Sequence, residues 1–401
     1  MKLLFAIVII AIISIIGSRL TFLNRRIPMG FRNIFLTGTE YILIGVLLGG
    51  MGLNILDQEA LIKLEPFLLF GLCWVGFLFG LQFEVRQLRN LPRFYFSITA
   101  IQAIITFSVV TVSMYLVFRN FLLLPESILF MAAITLGSTA CCSAQSALAI
   151  VSRNYRIKNR GLLDLMRYIS SVDGLFALFF FAAALCIIPG GELAGFNFIK
   201  SIKWLLLSAT MGFVPALIFI LLNRTKFSQQ EFMVFMIGCI MFCGGLAYEI
   251  HHSPLVSGFI CGIITANFCR QRLRALSSVI HAEKSIYIIL LLLIGAGWII
   301  KPDYSLILTL VYFIIRVLGK IIGTFFATRI FKPIYNVPAG LGLGLISEGG
   351  LAIAIIINFK LLYPSVGDSI VTIIIISVFV NEFISPKLIL SQFDEAERVL
   401  S

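Results

Sequence analysis

The sequence predicts an all-α polytopic membrane protein of about 13 transmembrane helices, two of them broken, folded as inverted repeats. Three observations carry this: the composition, the recurrence of apolar segments, and two spans interrupted by glycine and small polar residues. Of 401 residues, 60% are hydrophobic and only 12% are charged. Mean hydropathy is +1.04. A soluble domain needs about 25% charged residues to cover its surface. The apolar segments run to about 20 residues, enough for a helix to cross the hydrocarbon core. They lack the short alternating strands of a closed β-barrel, the other architecture that satisfies its own backbone in lipid.

In chain order the spans are expected near 2–18, 35–53, 62–82, 96–118, 126–151, 161–188, 200–222, 230–250, 253–269, 283–300, 304–330, 337–359 and 367–390. The first resembles a signal peptide, since Lys2 precedes an apolar core. However, the apolar run is long and "IIGSRLTF" is a poor cleavage site, so it reads as a retained span. The fifth, "AAITLGSTACCSAQSALAIVS", crowds Gly137, Ser138, Thr139, Ser143, Gln145 and Ser146 into a dozen residues. The sixth, "YISSVDGLFALFFFAAAL", holds one charge, Asp173. The eleventh carries Arg316 and Lys320, whose i, i+4 spacing puts both cations on one helix face. The twelfth places Gly340, Gly342, Gly344, Gly349 and Gly350 around Ser347 and Glu348, and the thirteenth contains Glu382.

Loop charges set the expected orientation. Basic residues collect in every second connection: Arg19, Arg25, Arg26 and Arg32; Arg86, Arg89 and Arg93; Arg153, Arg156, Lys158 and Arg160; Arg224 and Lys226; Arg270, Arg272, Arg274 and Lys284; Arg329 and Lys332. The intervening loops carry mostly Asp57, Glu59, Arg119, Glu192, Lys200, Glu249, Lys301, Asp303, Lys360 and Asp368. The positive-inside rule puts the basic set in the cytoplasm. The N-terminus is then outside and the C-terminus cytoplasmic, which needs an odd number of spans. A bacterial inner (plasma) membrane is the expected location. The net charge of +12 is mostly this asymmetry. It is spread over short loops, so no nucleic-acid partner is expected.

The chain is expected to be one transmembrane domain over 1–401, with repeats about 1–190 and 230–390, a linker span about 200–222, and no soluble regulatory domain. An offset of seven spans pairs the broken fifth with the broken twelfth, and makes the repeats inverted. Paired interrupted helices in matching positions point to a midplane ion site. The eight cysteines lie in or at the ends of apolar spans and read as free thiols. Cys239 and Cys243 have no accompanying His or carboxylate, so no metal is expected there. No Ser/His/Asp set suggests an enzyme, and His251, His252 and His281 sit where solvated loop side chains are the default.

Intramembrane ionisable residues are rare and mark ion or substrate paths by default. Here they are Asp173, Arg316, Lys320, Glu348 and Glu382. Structural ion pairing is the competing reading, and Arg316 would equally serve to brace a helix through backbone carbonyls.

Several segments resemble the cation/proton antiporter superfamily, of the thirteen-span Na⁺/H⁺ exchanger type. "LLFGLCWVGFLFGLQFEVRQLRN" is similar to its "lFlaGLefdl..lr" segment, "YILIGVLLGGMGLNIL" to "aGillGp", and "SPLVSGFICGIITAN" to "lgaFlaGlvla". "LGSTACCSAQ" resembles the first crossing helix and "GLGLISEGGLAIAI" the second, and "IIRVLGKIIGTFFATR" resembles the core helix that bears a basic residue. The resemblance implies an antiporter fold, no cofactor beyond the transported Na⁺ or K⁺ and H⁺, and a homodimer in the lipid bilayer. It implies that Asp173 binds ion and proton, with Thr139, Ser138 and Ser171 as neighbouring ligands. Lys320 or Arg316 would be its basic partner, with Glu348 and Glu382 as secondary charges. The chain departs from the family pattern at Val172, where an Asp, Asn or Gln usually precedes the aspartate, and at Glu348 and Gly350 in the second crossing. The expected function is exchange of a monovalent cation for H⁺ by competition for Asp173. A K⁺ efflux channel and a transport-inactive sensor or partner subunit on the same fold are the alternatives.

Overall fold

The computed structural model describes residues 2–19, 28–86, 93–122, 124–187, 198–223, 228–299, 304–333 and 337–398. The loop residues Arg25, Arg26, Arg89, Glu192, Arg224, Lys226, Lys301 and Asp303 lie outside these. In chain order the helices are α1 Lys2–Arg19, α2 Met29–Thr37, α3 Glu40–Leu48, α4 Gln58–Leu81, α5 Arg93–Phe121, α6 Glu126–Cys141, α7 Gln145–Asn154 and α8 Arg160–Ile187. There follow α9 Phe198–Leu222, α10 Gln229–Glu249, α11 Pro254–Phe268, α12 Arg272–Ala296, α13 Ser305–Phe331, a 3₁₀ turn Leu341–Leu345, α14 Gly350–Leu362 and α15 Pro364–Arg398. No strand occurs among the described residues.

Nine helical segments among the described residues are long and apolar enough to cross a membrane, one of them α6 and α7 taken together, or ten if α2 and α3 form one bent span. Three more apolar helices are shorter: Leu4–Gly17, Pro254–Phe268 and Gly350–Leu362. The expected second span, 35–53, is instead two short helices. The chain turns at Gly38, whose φ of +79° is left-handed, a conformation glycine adopts without steric cost. Local capping defines other starts. Asp57 accepts from the Ala60 N–H at 2.9 Å to open α4, Ser228 and Glu231 form a capping box on α10, and Ser253 caps α11 ahead of Pro254.

The chain divides into two compact units. Unit 1 comprises Met1–Thr21, Gly38–Asn90 and Ala194–Ile299. In it α4 and α11 pack closely through facing Gly76-x-x-x-Gly80 and Gly258-x-x-x-Gly262 motifs. A Cβ on Gly80 would sit 2.8 Å from the Gly262 Cα, and one on Gly262 would sit 2.9 Å from the Gly80 Cα. Without glycine here the two backbones would have to separate, and small residues at such spacing are how helices approach in lipid. Around them Trp74, Phe77, Phe219, Phe232 and Met236 form a buried core. α1 is tied to α12 by Ser14, whose hydroxyl donates to the Ser285 carbonyl at 2.9 Å.

Unit 2 comprises Phe22–Thr37, Leu91–Leu193 and Ile300–Ser401. It gathers α2, α5 to α8, α13, the 3₁₀ turn, α14 and α15. Leu148, Leu165, Met166, Ile389 and Phe393 form part of its core. All five intramembrane charges predicted from sequence lie in this unit, and each is fully buried.

The histidine reading needs correction. His252 is buried and stacks on Trp204, with ring centroids 4.2 Å apart. Its Nδ1 lies 2.9 Å from the Ile250 carbonyl, and burial lowers its pKa from the ordinary histidine value. His281 is exposed, but it lies within α12 rather than in a loop. All eight cysteines are free thiols.

Candidate functional site: two helix breaks joined by four charges

α6 stops at Cys141, and Cys142 and Ala144 are extended before α7 begins at Gln145. Nothing at 142–144 is a glycine or proline, so local propensity does not break this helix. The break is held from outside. Lys320 donates its ammonium to the Cys141 carbonyl at 2.6 Å, and Arg316 Nη2 donates to the Cys142 carbonyl at 2.9 Å. The Ser143 N–H donates to Asp173 Oδ1 at 3.2 Å, and the Ala144 N–H to the Ser347 carbonyl at 2.8 Å. These four backbone groups freed by the break thus find partners, as an interior without water favours.

The second break is its counterpart. The 3₁₀ turn ends at Leu345, and α14 starts at Gly350 behind an extended Gly349. The Leu345 carbonyl accepts from the Ser143 hydroxyl at 2.9 Å, and the Ile346 carbonyl from Arg316 Nη1 at 2.6 Å. The two breaks therefore meet each other and share Arg316. Gly342 lets α13 come close, since a Cβ there would lie 2.5 Å from the Lys320 carbonyl oxygen and the Ile321 nitrogen.

The charges sort into two pairs. Lys320 Nζ is 3.3 Å from Asp173 Oδ2 and 2.8 Å from the Ser143 hydroxyl. Arg316 Nε is 3.1 Å from Glu348 Oε1. Glu348 also accepts from Tyr312 at 3.0 Å, Ser377 at 2.8 Å and Asn381 at 2.8 Å. Two cations and two carboxylates thus balance around the crossing, with both cations supplied by one face of α13. Burial makes each pair interdependent, because removing one partner strands a charge in a medium that solvates it poorly.

The other predicted residues form no hydrogen bond with Asp173. Thr139 donates to the Leu136 carbonyl at 2.9 Å and lies 3.2 Å from the Tyr312 hydroxyl, which links it to Glu348 rather than to Asp173. Ser138 is buried, and its hydroxyl meets no hydrogen-bond partner among the described residues. Ser171 is on a more open face, accepting from Gln145 Nε2 at 2.5 Å and donating to the Arg167 carbonyl at 2.8 Å. Glu382 stands apart from both pairs, accepting from Thr37 Oγ1 at 2.5 Å while its backbone carbonyl accepts from Asn33 at 2.9 Å. Val172 is buried and supplies no polar atom beside Asp173.

Three site residues were not singled out from sequence, Tyr312, Ser377 and Asn381, while Ser143 was read as part of the broken fifth span but not as a partner of Asp173. Asn381 had a readable signal, an amide beside Glu382 in the apolar "VFVNEFISPK". Tyr312 and Ser377 had only their spacing, four residues before Arg316 and four before Asn381 respectively.

A bundle of membrane-spanning helices with two broken helices joined at buried charges is the architecture of a secondary ion transporter, an integral multi-pass membrane protein. The chain belongs to the sodium/hydrogen exchanger family: the family's "Sodium/hydrogen exchanger, transmembrane" profile matches residues 5–389. It is accordingly a cation/proton exchanger by family, not an enzyme, and such exchange needs no cofactor beyond the transported ions. The fold is similar to that of the sodium proton antiporter MjNhaP1 from Methanocaldococcus jannaschii. That match has a TM-score of 0.65 at 14% identity, covering 98% of this chain and 100% of the other. No curated protein matches the sequence.

Proposed function

We propose that the protein exchanges a monovalent cation, Na⁺ or K⁺, for H⁺ through alternate occupation of Asp173. The observation that carries this reading is the buried Lys320–Asp173 pair at the first helix break. Asp173 holds one oxygen on a backbone N–H and the other on an ammonium. A small cation entering the break replaces the ammonium as counter-charge to the second oxygen. A proton neutralises the same carboxylate. The two ligands exclude each other, and a carboxylate that crosses only when occupied couples their movements in opposite directions. The carbonyls of Cys141 and Cys142, now held by Lys320 and Arg316, are oxygen ligands of the kind a hard cation takes.

In this reading the helices make thirteen spans as inverted repeats, with the shorter apolar helices also crossing the bilayer. The protein is a homodimer in a bacterial plasma membrane, with the arginine-rich loops and the C-terminus in the cytoplasm. Unit 2 is the body that carries the site.

The stoichiometry follows from Glu348. Arg316 and the Tyr312 hydroxyl face its Oε1, and Ser377 and Asn381 both donate to its Oε2. A proton on Glu348 would leave Arg316 buried without its counter-charge. Glu348 is therefore assigned as a fixed counter-charge, and Asp173 alone exchanges a proton. One H⁺ moves per cation, and no net charge crosses. In proteoliposomes with an outward cation gradient and a pH-sensitive dye inside, an imposed membrane potential should leave the rate of cation-dependent proton flux unchanged. An electrogenic exchanger would feel about 2.3 kcal/mol per net charge per 100 mV. A voltage-dependent flux in the wild type that Glu348→Gln abolishes would make Glu348 a second proton carrier. Single-channel currents would replace the exchange reading with that of a channel.

A further inference from the structure

We propose that unit 1 binds the phosphate headgroup of an anionic phospholipid at the turn between α11 and α12. A cavity of about 580 Å³ lies there, lined by Arg86, Asn267, Phe268, Arg270, Arg272 and Arg274 among others. Four arginines lining one cavity create a strong positive potential, which like-charge repulsion makes costly unless an anion enters. Glu84 pairs with one of them, lying 2.5 Å from Arg272. Arg274 is fixed in place: Nε donates to Gln229 at 2.7 Å, Nη1 donates to Gln271 at 2.8 Å, and its guanidinium lies 4.6 Å above the Phe232 ring. Arg86 and Arg270 are exposed and form no ion pair among the described residues. Both guanidinium groups thus have their donors available, and guanidinium geometry matches phosphate oxygens two at a time. α12 also begins within the lining, so the positive end of a 25-residue helix adds to the field.

The rim favours a lipid over a free phosphate compound. Phe268 and Leu273 border the same cavity with 73% and 66% of their surface exposed. Large apolar side chains next to an arginine cluster, at the ends of membrane-spanning helices, match a molecule with a charged head and acyl tails. The cavity lies among the arginine-rich loops, the side on which basic pockets between helices take anionic headgroups.

The test is thermal unfolding of the detergent-purified full chain, titrated in parallel with phosphatidylglycerol, phosphatidylcholine and inorganic phosphate. The expected result is a rise in Tm with phosphatidylglycerol alone. Arg86→Gln/Arg270→Gln should weaken the apparent affinity roughly tenfold or more, the order expected when two arginine contacts to an anionic headgroup are lost. Arg153→Gln/Arg156→Gln, which removes two exposed arginines at and just beyond the end of α7, should respond like the wild type. The inference is overturned if the wild type gains nothing from phosphatidylglycerol, or if the Arg86/Arg270 variant responds as the wild type does. An equal rise with inorganic phosphate would assign the cavity to a free anion instead. An equal loss in the Arg153/Arg156 variant would reduce the effect to general surface charge.

Discussion

Asp173→Asn is expected to reduce cation-dependent proton flux in proteoliposomes to background while the protein still inserts and folds. Asparagine keeps the size of the side chain and an oxygen to accept the Ser143 N–H. What it loses is the ability to titrate and the negative charge that a cation needs. Lys320 would then lack its carboxylate, but it keeps the Cys141 carbonyl and the Ser143 hydroxyl as acceptors, so the crossing stays closed. Size-exclusion profile and thermal unfolding check the fold, and dye-reported proton flux under a Na⁺ or K⁺ gradient checks the activity. Flux at the wild-type rate from a properly folded variant would remove Asp173 from the mechanism.

Arg316→Met should produce the largest loss of stability of any single change at the site. This one side chain neutralises Glu348, donates to the carbonyl of the first break at Cys142, and donates to the carbonyl of the second break at Ile346. Methionine fills much of the volume and serves none of these acceptors. Breaking one partner of a buried ion pair costs about 3–5 kcal/mol, and the two carbonyls add to that. Arg316→Lys should rescue poorly, because one ammonium lacks the planar fork that reaches three acceptors. Glu348→Gln in the Arg316→Met background should recover part of the loss, since the stranded carboxylate is then gone. Thermal unfolding of the single and double variants gives the coupling directly. Additive losses would mean that the two residues do not act as a pair.

These two residues also show how far the sequence could be read. Five charges in apolar spans were visible at once, because a charge in lipid stands out against its neighbours. The i, i+4 spacing of Arg316 and Lys320 placed both on one face. It left their partners open, since pairing depends on which break each cation reaches. The structure gives Asp173 to Lys320 and Glu348 to Arg316, and leaves Glu382 with Thr37. That last contact joins α15 to α2, helices some 345 residues apart in the chain, and no local pattern encodes it. The broken fifth and twelfth spans were legible from glycines and hydroxyls. However, the break at Cys142–Ala144 owes little to local propensity and much to donors and acceptors on α8, α13 and the opposite break. The divided second span was missed because Gly38 is its only local signal and the flanking residues are apolar enough to read as one helix. His252 was misplaced for a related reason: its burial comes from Trp204, a residue of another helix.

The central claim is that cation and proton compete for one carboxylate. The most direct test is the linkage between cation binding and proton release in the purified protein at equilibrium. Na⁺ or K⁺ is added to weakly buffered protein, and bound cation and released protons are measured across a pH series. Protonation of Asp173 removes the cation's site. Lowering the pH below the carboxylate's own titration should therefore weaken apparent cation affinity by about tenfold per pH unit, with about one proton released per cation bound under those conditions. Asp173→Asn should show neither effect. Cation binding that is independent of pH and releases no proton, or one that persists unchanged in Asp173→Asn, would contradict the account.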